Sequence, residues 1–355
     1  MNPRLDLIRR RCADLDADAA LLTFLPHVRW AVGFTGSNGV LVVTPDEAHF
    51  VTDGRYATQA EAEVQGAEVH VPGYRLFEHV AEAELLAGAE TVLLQGDHLP
   101  FTEVERLRQL LQEVRFLPVG GLLDEDVAAK SEEEIARVRA AQAVTDEVFA
   151  AILPFIGPGV SERDLAAEIV YQHLKRGCER MAFEPIVASG LRGALPHARP
   201  TTKTLRPGEL VVLDFGGVLD GYCADMTRTV AVGDPGEEAR GVYQVVLDAQ
   251  QAALDAAAAG RTGRDLDQAA RQVIEAAGLG EHFPHSLGHG VGLEAHEWPR
   301  LSSRVEDTLP AGATVTVEPG VYLPERFGVR IEDLVVLREG GCENLTASTK
   351  ELLVL

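Results

Sequence analysis

Long apolar runs are missing from this sequence. No stretch of its 355 residues approaches the roughly 20 apolar residues that a membrane-spanning helix needs. The opening segment, MNPRLDLIRRRCADLD, has arginines but no apolar run behind them, so no secretory signal is expected. Basic residues are scarce: 32 Lys and Arg stand against 55 Asp and Glu, a formal charge of −23. That balance argues against nucleic acid and anionic membrane, which both require a basic footprint. The four cysteines (Cys12, Cys178, Cys223 and Cys342) lie far apart with no C-x-x-C, so neither a disulfide framework nor a zinc knuckle is indicated. A reducing cytoplasm is the expected setting. No P-loop and no dinucleotide glycine fingerprint occurs, and neither a G-x-S-x-G elbow nor a helical H-E-x-x-H is found.

What is present divides into two blocks, as the length suggests. The first, residues 1–122, alternates short apolar runs (AALLTF, GVLVVT, EAHFVTD, AEVHVPG, TVLLQG) with stretches of helical spacing (GRYATQAEAEV, LFEHVAEAELL, FTEVERLRQLLQEV). This predicts an α/β domain. FTGSNG at 34–39 reads as a turn between strands, and PVGGLL at 118–123 as a linker. The second block, residues 123–355, opens with one long helix over DEDVAAKSEEEIARVRAAQAVTDEVFAAI.

The second block repeats itself. PGVSERDLAAEIVYQHLKRG (158–177) is echoed by AGRTGRDLDQAARQVIEAAG (259–278), each preceded by a helix and followed by an apolar strand ending in an acid. The acids are Asp214 in ELVVLDFG and Glu318 in ATVTVEPG, and a further strand brings Asp225 and Glu332. The offset is 101 residues at the shared Arg-Asp-Leu, 104 at the first acid and 107 at the second. Two such units would pack as pseudo-symmetric halves with their acids meeting at the centre. A lone buried carboxylate is costly, and one acid in an apolar strand is ordinarily a sheet-edge ion pair. Four at matched positions instead require cations to hold them together. Arg228 and Arg330 lie nearby on strands, but divalent metal is the better answer: four carboxylates balance two M²⁺ ions, a recognised hydrolytic arrangement. His289, in SLGHGVGLEAHE, would add an imidazole, its glycine neighbours letting the loop crowd the ions.

The contexts VVLDFGG, YCADMTRT, SLGHGVGLEAHE, VTVEPGVY and GVRIEDLV closely resemble the pita-bread metallopeptidases, which include methionine aminopeptidase, aminopeptidase P and Xaa-Pro dipeptidase (prolidase). The match covers about residues 125–355, with five ligands in order. GFTGSNGVLVVT and VTDGRYATQA resemble the creatinase/prolidase-type N-terminal domain, which points to the proline-specific branch.

The resemblance implies a role for each matched residue. Asp225 and Glu332 would bridge two metals, Asp214 would chelate one, and His289 and Glu318 would hold the other. A water acidified by the ions would attack the scissile carbonyl, with Glu318 passing on its proton. His296 and His197 would bind the carbonyl or the developing oxyanion. His285 would wall the pocket or simply pack in the core. Tyr222 and Thr227 would fix the water and Asp214 or Asp225, with Arg330 supporting them.

Oxygen and imidazole ligands without thiolate suit Mn²⁺, Co²⁺ or Zn²⁺, and family habit favours manganese. Arg300, four residues after His296 in GLEAHEWPRLS, resembles the prolidase form and would pair the free carboxylate of a Xaa-Pro dipeptide. The implied activity is hydrolysis of Xaa-Pro bonds, foremost in dipeptides, by a homodimer. The rival readings are aminopeptidase P, a metal-free creatinase-like enzyme, and an inactive peptide-binding protein of the same fold.

Overall fold

In the computed structural model, which describes residues 2–355, the Asn2 side chain accepts a bond from the Arg4 backbone N–H and starts α1 (Pro3–Asp14). Then follow β1 (Ala19–Leu22), α2 (Leu25–Val32), β2 (Val40–Val43), β3 (Ala48–Val51), α3 (Ala57–Glu63), β4 (Glu68–His70), α4 (Leu76–Glu82), β5 (Thr91–Gln95), α5 (Phe101–Leu110) and β6 (Arg115–Val119). The six strands form one sheet in the order β4-β3-β2-β1-β5-β6. Pairing is antiparallel from β1 through β3 and parallel at β3–β4, β1–β5 and β5–β6. β1, β2, β3 and β5 are buried along their whole length, as strands covered on both faces must be.

Two local expectations are corrected here. Pro118 and Val119 of the supposed linker PVGGLL belong to β6, an edge strand, where proline removes no central ladder bond. FTGSNG joins a helix to a strand rather than two strands, because Gly33, at φ 88°, ends α2 in the left-handed conformation.

By contact the chain forms two compact units, one ending at Val127 and one spanning Ala128–Leu355. The stretch expected to be one long helix is two, α6 (Asp124–Ala128) and α7 (Glu132–Ile152). Ser131 breaks it: its side chain caps the Glu134 N–H while the Glu134 carboxylate takes the Ser131 N–H, and a capping residue holds extended backbone angles.

In the second unit follow α8 (Glu162–Lys175), β7 (Arg180–Met181), β8 (Ile186–Ser189), β9 (Glu209–Phe215), β10 (Gly217–Leu219), β11 (Tyr222–Cys223), β12 (Met226–Val232), α9 (Glu237–Ala256) and α10 (Gly263–Ala276). Then come β13 (Gly288–Gly290), β14 (Glu297–Leu301), β15 (Thr314–Val317), β16 (Gly320–Leu323), β17 (Phe327–Arg330), β18 (Asp333–Arg338) and β19 (Gly341–Asn344). The internal repeat is a structural one. Ser161 caps α8 through Asp164 N and bridges to Thr204, while Thr262 caps α10 through Asp265 N and bridges to Thr308. The antiparallel pair β9–β12 in the first half corresponds to β15–β18 in the second. The halves are joined at the centre: the Thr229 hydroxyl donates to Arg330 O (2.9 Å), and the Glu332 N–H donates to Thr227 O (3.1 Å). One apolar core packs α7 and α8 under β9 and β12, and another packs α9 and α10 under β15 and β18. That is the pita-bread architecture.

Candidate metal centre

The register of the paired strands decides where the acids go. Asp214 lies within β9, directly across from Thr227 of β12. Asp225 immediately precedes β12, Glu318 immediately follows β15, and Glu332 sits between β17 and β18. Three of the four acids therefore stand where a regular ladder starts or stops, which lets the carboxylates turn inward. His289 is the middle residue of β13. All five line one pocket of about 210 Å³ with Phe183, Ile186, Pro196, His197, His285, Ser286, His296, Arg300 and Arg330.

Donor atoms of Asp225, His289 and Glu332 lie within 4.8 Å of one another. His289 Nδ1 is 3.1 Å from Gly290 O, a carbonyl that can only accept, so Nδ1 carries the proton. Its Nε2 faces Glu318 Oε1 at 3.3 Å and Asp225 Oδ2 at 3.8 Å. Asp214 Oδ1 and Asp225 Oδ1 are buried with no hydrogen-bond partner among the described residues. Burial, and then the charges of Glu332, Asp214 and Glu318, push the Asp225 carboxyl far above its ordinary range. Burial followed by Glu318 and Asp214 does the same to Glu332. Burial also raises Asp214, against the opposing charge of Arg330. Burial works against a charged Glu318 too, but the adjacent His289 ring and the Arg330 charge prevail and lower it. Orphaned carboxylate oxygens around an imidazole lone pair fit divalent cations. With oxygen and nitrogen donors only, the set suits Mn²⁺, Co²⁺ or Zn²⁺. Cys223 takes no part: its thiol is buried against Leu293 O, and burial pushes it up.

The surroundings correct several expectations. The glycines beside His289 make room for protein backbone and not for ions. A Cβ on Gly288 would lie 2.1 Å from Thr316 O, and one on Gly290 2.4 Å from Trp298 O, on the flanking strands. Tyr222 donates its hydroxyl proton to Glu134 Oε1 (2.9 Å) in place of the expected Asp214 or Asp225. Thr227 donates to Glu332 Oε2 (2.6 Å) in place of the expected aspartates. Arg330 pairs with Asp214 through Nη2, while its Nε reaches Thr227 Oγ1 (3.1 Å) and its Nη1 reaches the Tyr322 hydroxyl (2.7 Å). His285 is half-buried and its Nε2 meets the same Tyr322 hydroxyl at 2.9 Å, so it both lines the pocket and packs. His197, His296 and Arg300 are exposed at the pocket rim, and the His296 ring stands 4.2 Å from that of His289.

Two features were not read from the sequence. Tyr322 joins His285 to Arg330, and its only sequence signal is a hydroxyl in the apolar strand GVYL. The buried Lys130, from the break between α6 and α7, pairs with Glu297 beside His296. The two residues are 167 positions apart, beyond any local pattern.

Comparison with known proteins agrees with this geometry. Residues 136–339 match Metallopeptidase family M24, and residues 4–126 match the Creatinase/Prolidase N-terminal domain. A Xaa-Pro dipeptidase of Pyrococcus furiosus is 38% identical, over 89% of this chain and 89% of its own. The solved Xaa-Pro dipeptidase from Bacillus anthracis superposes with a TM-score of 0.97 at 37% identity, covering 99% of both chains. The X-Pro aminopeptidase from Thermotoga maritima gives 0.91 at 36%, covering 98% of this chain and all of that one. With its N-terminal α/β unit, its duplicated pita-bread fold and its central cluster of acids, the chain belongs to the M24 metallopeptidases.

Proposed function

We propose that the protein hydrolyses the Xaa-Pro peptide bond with two divalent ions per chain, and that Xaa-Pro dipeptides are its foremost substrates. The observation that carries the reading is the group of unpartnered, buried carboxylate oxygens around His289 Nε2. Asp225 and Glu332 would touch both ions, Asp214 one, and His289 with Glu318 the other. When bound, the ions supply Lewis acidity and a nucleophilic water. The chain supplies the rest. Glu318, whose carboxyl lies below its ordinary range beside His289 and Arg330, accepts and passes on the proton of the attacking water. His296, at the exposed rim, donates to the carbonyl oxygen as charge develops there, and His197 stands across the same pocket. Arg330 and Thr227 hold Asp214 and Glu332 in place. Manganese as the resident ion, a homodimer and a cytoplasmic setting belong to the same reading and rest on the family resemblance.

Arg300 favours the dipeptidase over aminopeptidase P. It is the cross-strand partner of His289 in the β13–β14 ladder and lines the pocket. A guanidinium there can pair the free carboxylate that ends a Xaa-Pro dipeptide, and it obstructs a chain that continues. A panel of Xaa-Pro dipeptides and Xaa-Pro-Yaa tripeptides, with Mn²⁺, Co²⁺ or Zn²⁺, tests the assignment. Dipeptides should be cleaved best, and Arg300→Ala should raise KM for them while sparing tripeptides. Tripeptides cleaved far better by the wild type, with no effect of the substitution, would make the enzyme an aminopeptidase P.

A further inference from the structure

A second constellation of metal-type donors lies outside this pocket, within the N-terminal unit. His49 of β3 and Glu68 of β4 are direct partners in the parallel β3–β4 ladder, and His70 lies two residues along, on the same face as Glu68. His49 Nδ1 is 3.2 Å from His70 Nε2 and 3.6 Å from Glu68 Oε2, and the third side, His70 to Glu68, is 4.0 Å. Tetrahedral zinc with ligands at about 2.0–2.1 Å sets its donors about 3.3–3.4 Å apart. The two longer sides both end on the exposed Glu68, whose movement closes the triangle.

The outer contacts aim the lone pairs inward. His49 Nε2 is 3.2 Å from Glu47 Oε2, and a carboxylate can only accept, so the proton of His49 sits on Nε2 and Nδ1 is free. His70 Nδ1 is 3.2 Å from His79 Nε2 on α4, which can accept a proton from it and so free His70 Nε2. A carboxylate or imidazole behind each ligating histidine is the usual support of a zinc site. His49 itself is 7% exposed, while the Glu68 side chain is 69% exposed, so the site has a fixed floor and an open mouth.

We infer that His49, Glu68 and His70 form a separate zinc-type site that ties β4, the three-residue strand at the edge of the sheet, to β3. Three protein ligands leave a fourth position for water. With the protons on His49 Nε2 and His70 Nδ1, the cation takes the two inward lone pairs and displaces no proton from them. An edge strand of three residues has few ladder bonds of its own, so a cation there acts as a staple.

The test uses full-length protein equilibrated with Zn²⁺ and weighed intact by native mass spectrometry, beside its His70→Ala and Glu68→Gln variants. His70→Ala should carry one ion fewer than wild type, and Xaa-Pro hydrolysis should stay within about twofold. Glu68→Gln changes an exposed side chain and leaves the fold intact, so it keeps the test decisive if His70→Ala misfolds. Its extra ion should need at least tenfold more Zn²⁺. Glu47→Gln, which removes the support behind His49, should weaken the site by about 10–100-fold. Equal ion counts in wild type and Glu68→Gln at every Zn²⁺ concentration would overturn the inference. So would an ion lost from His70→Ala together with hydrolysis, since that ion would belong to the catalytic centre.

Discussion

At the scale of single residues, the central carboxylates are arranged against their own stability. Asp225 is 3% exposed and Glu332 2%, burial and then neighbouring carboxylates push both up, and Asp225 Oδ1 has no partner among the described residues. Asp225→Asn removes a charge from that group, so in metal-free protein it should raise stability by about 1–3 kcal/mol, on the scale of one unsatisfied buried polar group. The same change should abolish hydrolysis, and added Mn²⁺ should raise the melting temperature of the wild type but not of the variant. Calorimetry with and without metal reads both, and a metal-free variant less stable than wild type would contradict the argument. His296 differs because it stands at the rim. His296→Ala should keep full metal content while kcat falls roughly 10²–10³-fold, the worth of one oxyanion donor. Loss of metal alongside rate would make His296 a ligand instead.

At the scale of elements, His289 depends on strands that approach it more closely than a side chain allows. Gly288→Ala would place a methyl 2.1 Å from Thr316 O, which must force β13 away from β15 and carry His289 with it. Weaker metal affinity and a rise in the metal needed for half-maximal activity are expected, measured by activity against free Mn²⁺. Unchanged metal dependence would show that β13 yields without moving the imidazole. Lys130 does comparable work for the segment that carries His296. Its ammonium is buried and paired with Glu297, so Lys130→Met leaves a carboxylate without its cation, a loss of about 3–5 kcal/mol. Reduced kcat with metal content retained should accompany that loss. The Glu297→Gln, Lys130→Met double variant should recover part of the stability.

At the scale of the whole molecule, each unit buries a histidine that must stay neutral. His27 accepts a bond from the Gln95 amide at 2.8 Å, and burial, with His98 adding to it, takes its pKa down to about 4. His173 is likewise taken to about 4, by burial and then by Arg176, while its bond to Ile169 O pulls the other way. Both folded values lie below the unfolded value near 6.5, so the unfolded chain takes up protons first as pH falls. Their contribution is complete above pH 6.5, drains away between 6.5 and 4, and falls no further below 4. The loss is at most about 3 kcal/mol for each group. Urea unfolding of metal-loaded protein at pH 7, 5.5 and 4 should show the decline, and His173→Gln should flatten it in the second unit. A wild-type minus variant difference that is constant with pH would refute this.

That these acids meet in one place was legible in the sequence because the pattern repeats. Asp214, Asp225, Glu318 and Glu332 recur at nearly constant offset in or beside apolar runs, and hydropathy alone marks such acids as costly. The α/β character of the first unit followed from alternating apolar runs, since strand and helix periods are local. Local pattern misplaced the ends of elements where a specific side chain or edge position intervened, as at Ser131 and Pro118. The contacts around the centre lay beyond it altogether. That the Tyr222 hydroxyl turns to Glu134, that Tyr322 joins His285 to Arg330, that Lys130 finds Glu297 and that His49 meets His70 all depend on strand register and on chain brought together from afar. Sequence determined which groups needed partners. Only the packing of one half against the other, and of strand against strand, decided which partners they found, because hydrogen bonds and ion pairs act over a few ångströms and sequence distance carries no such information.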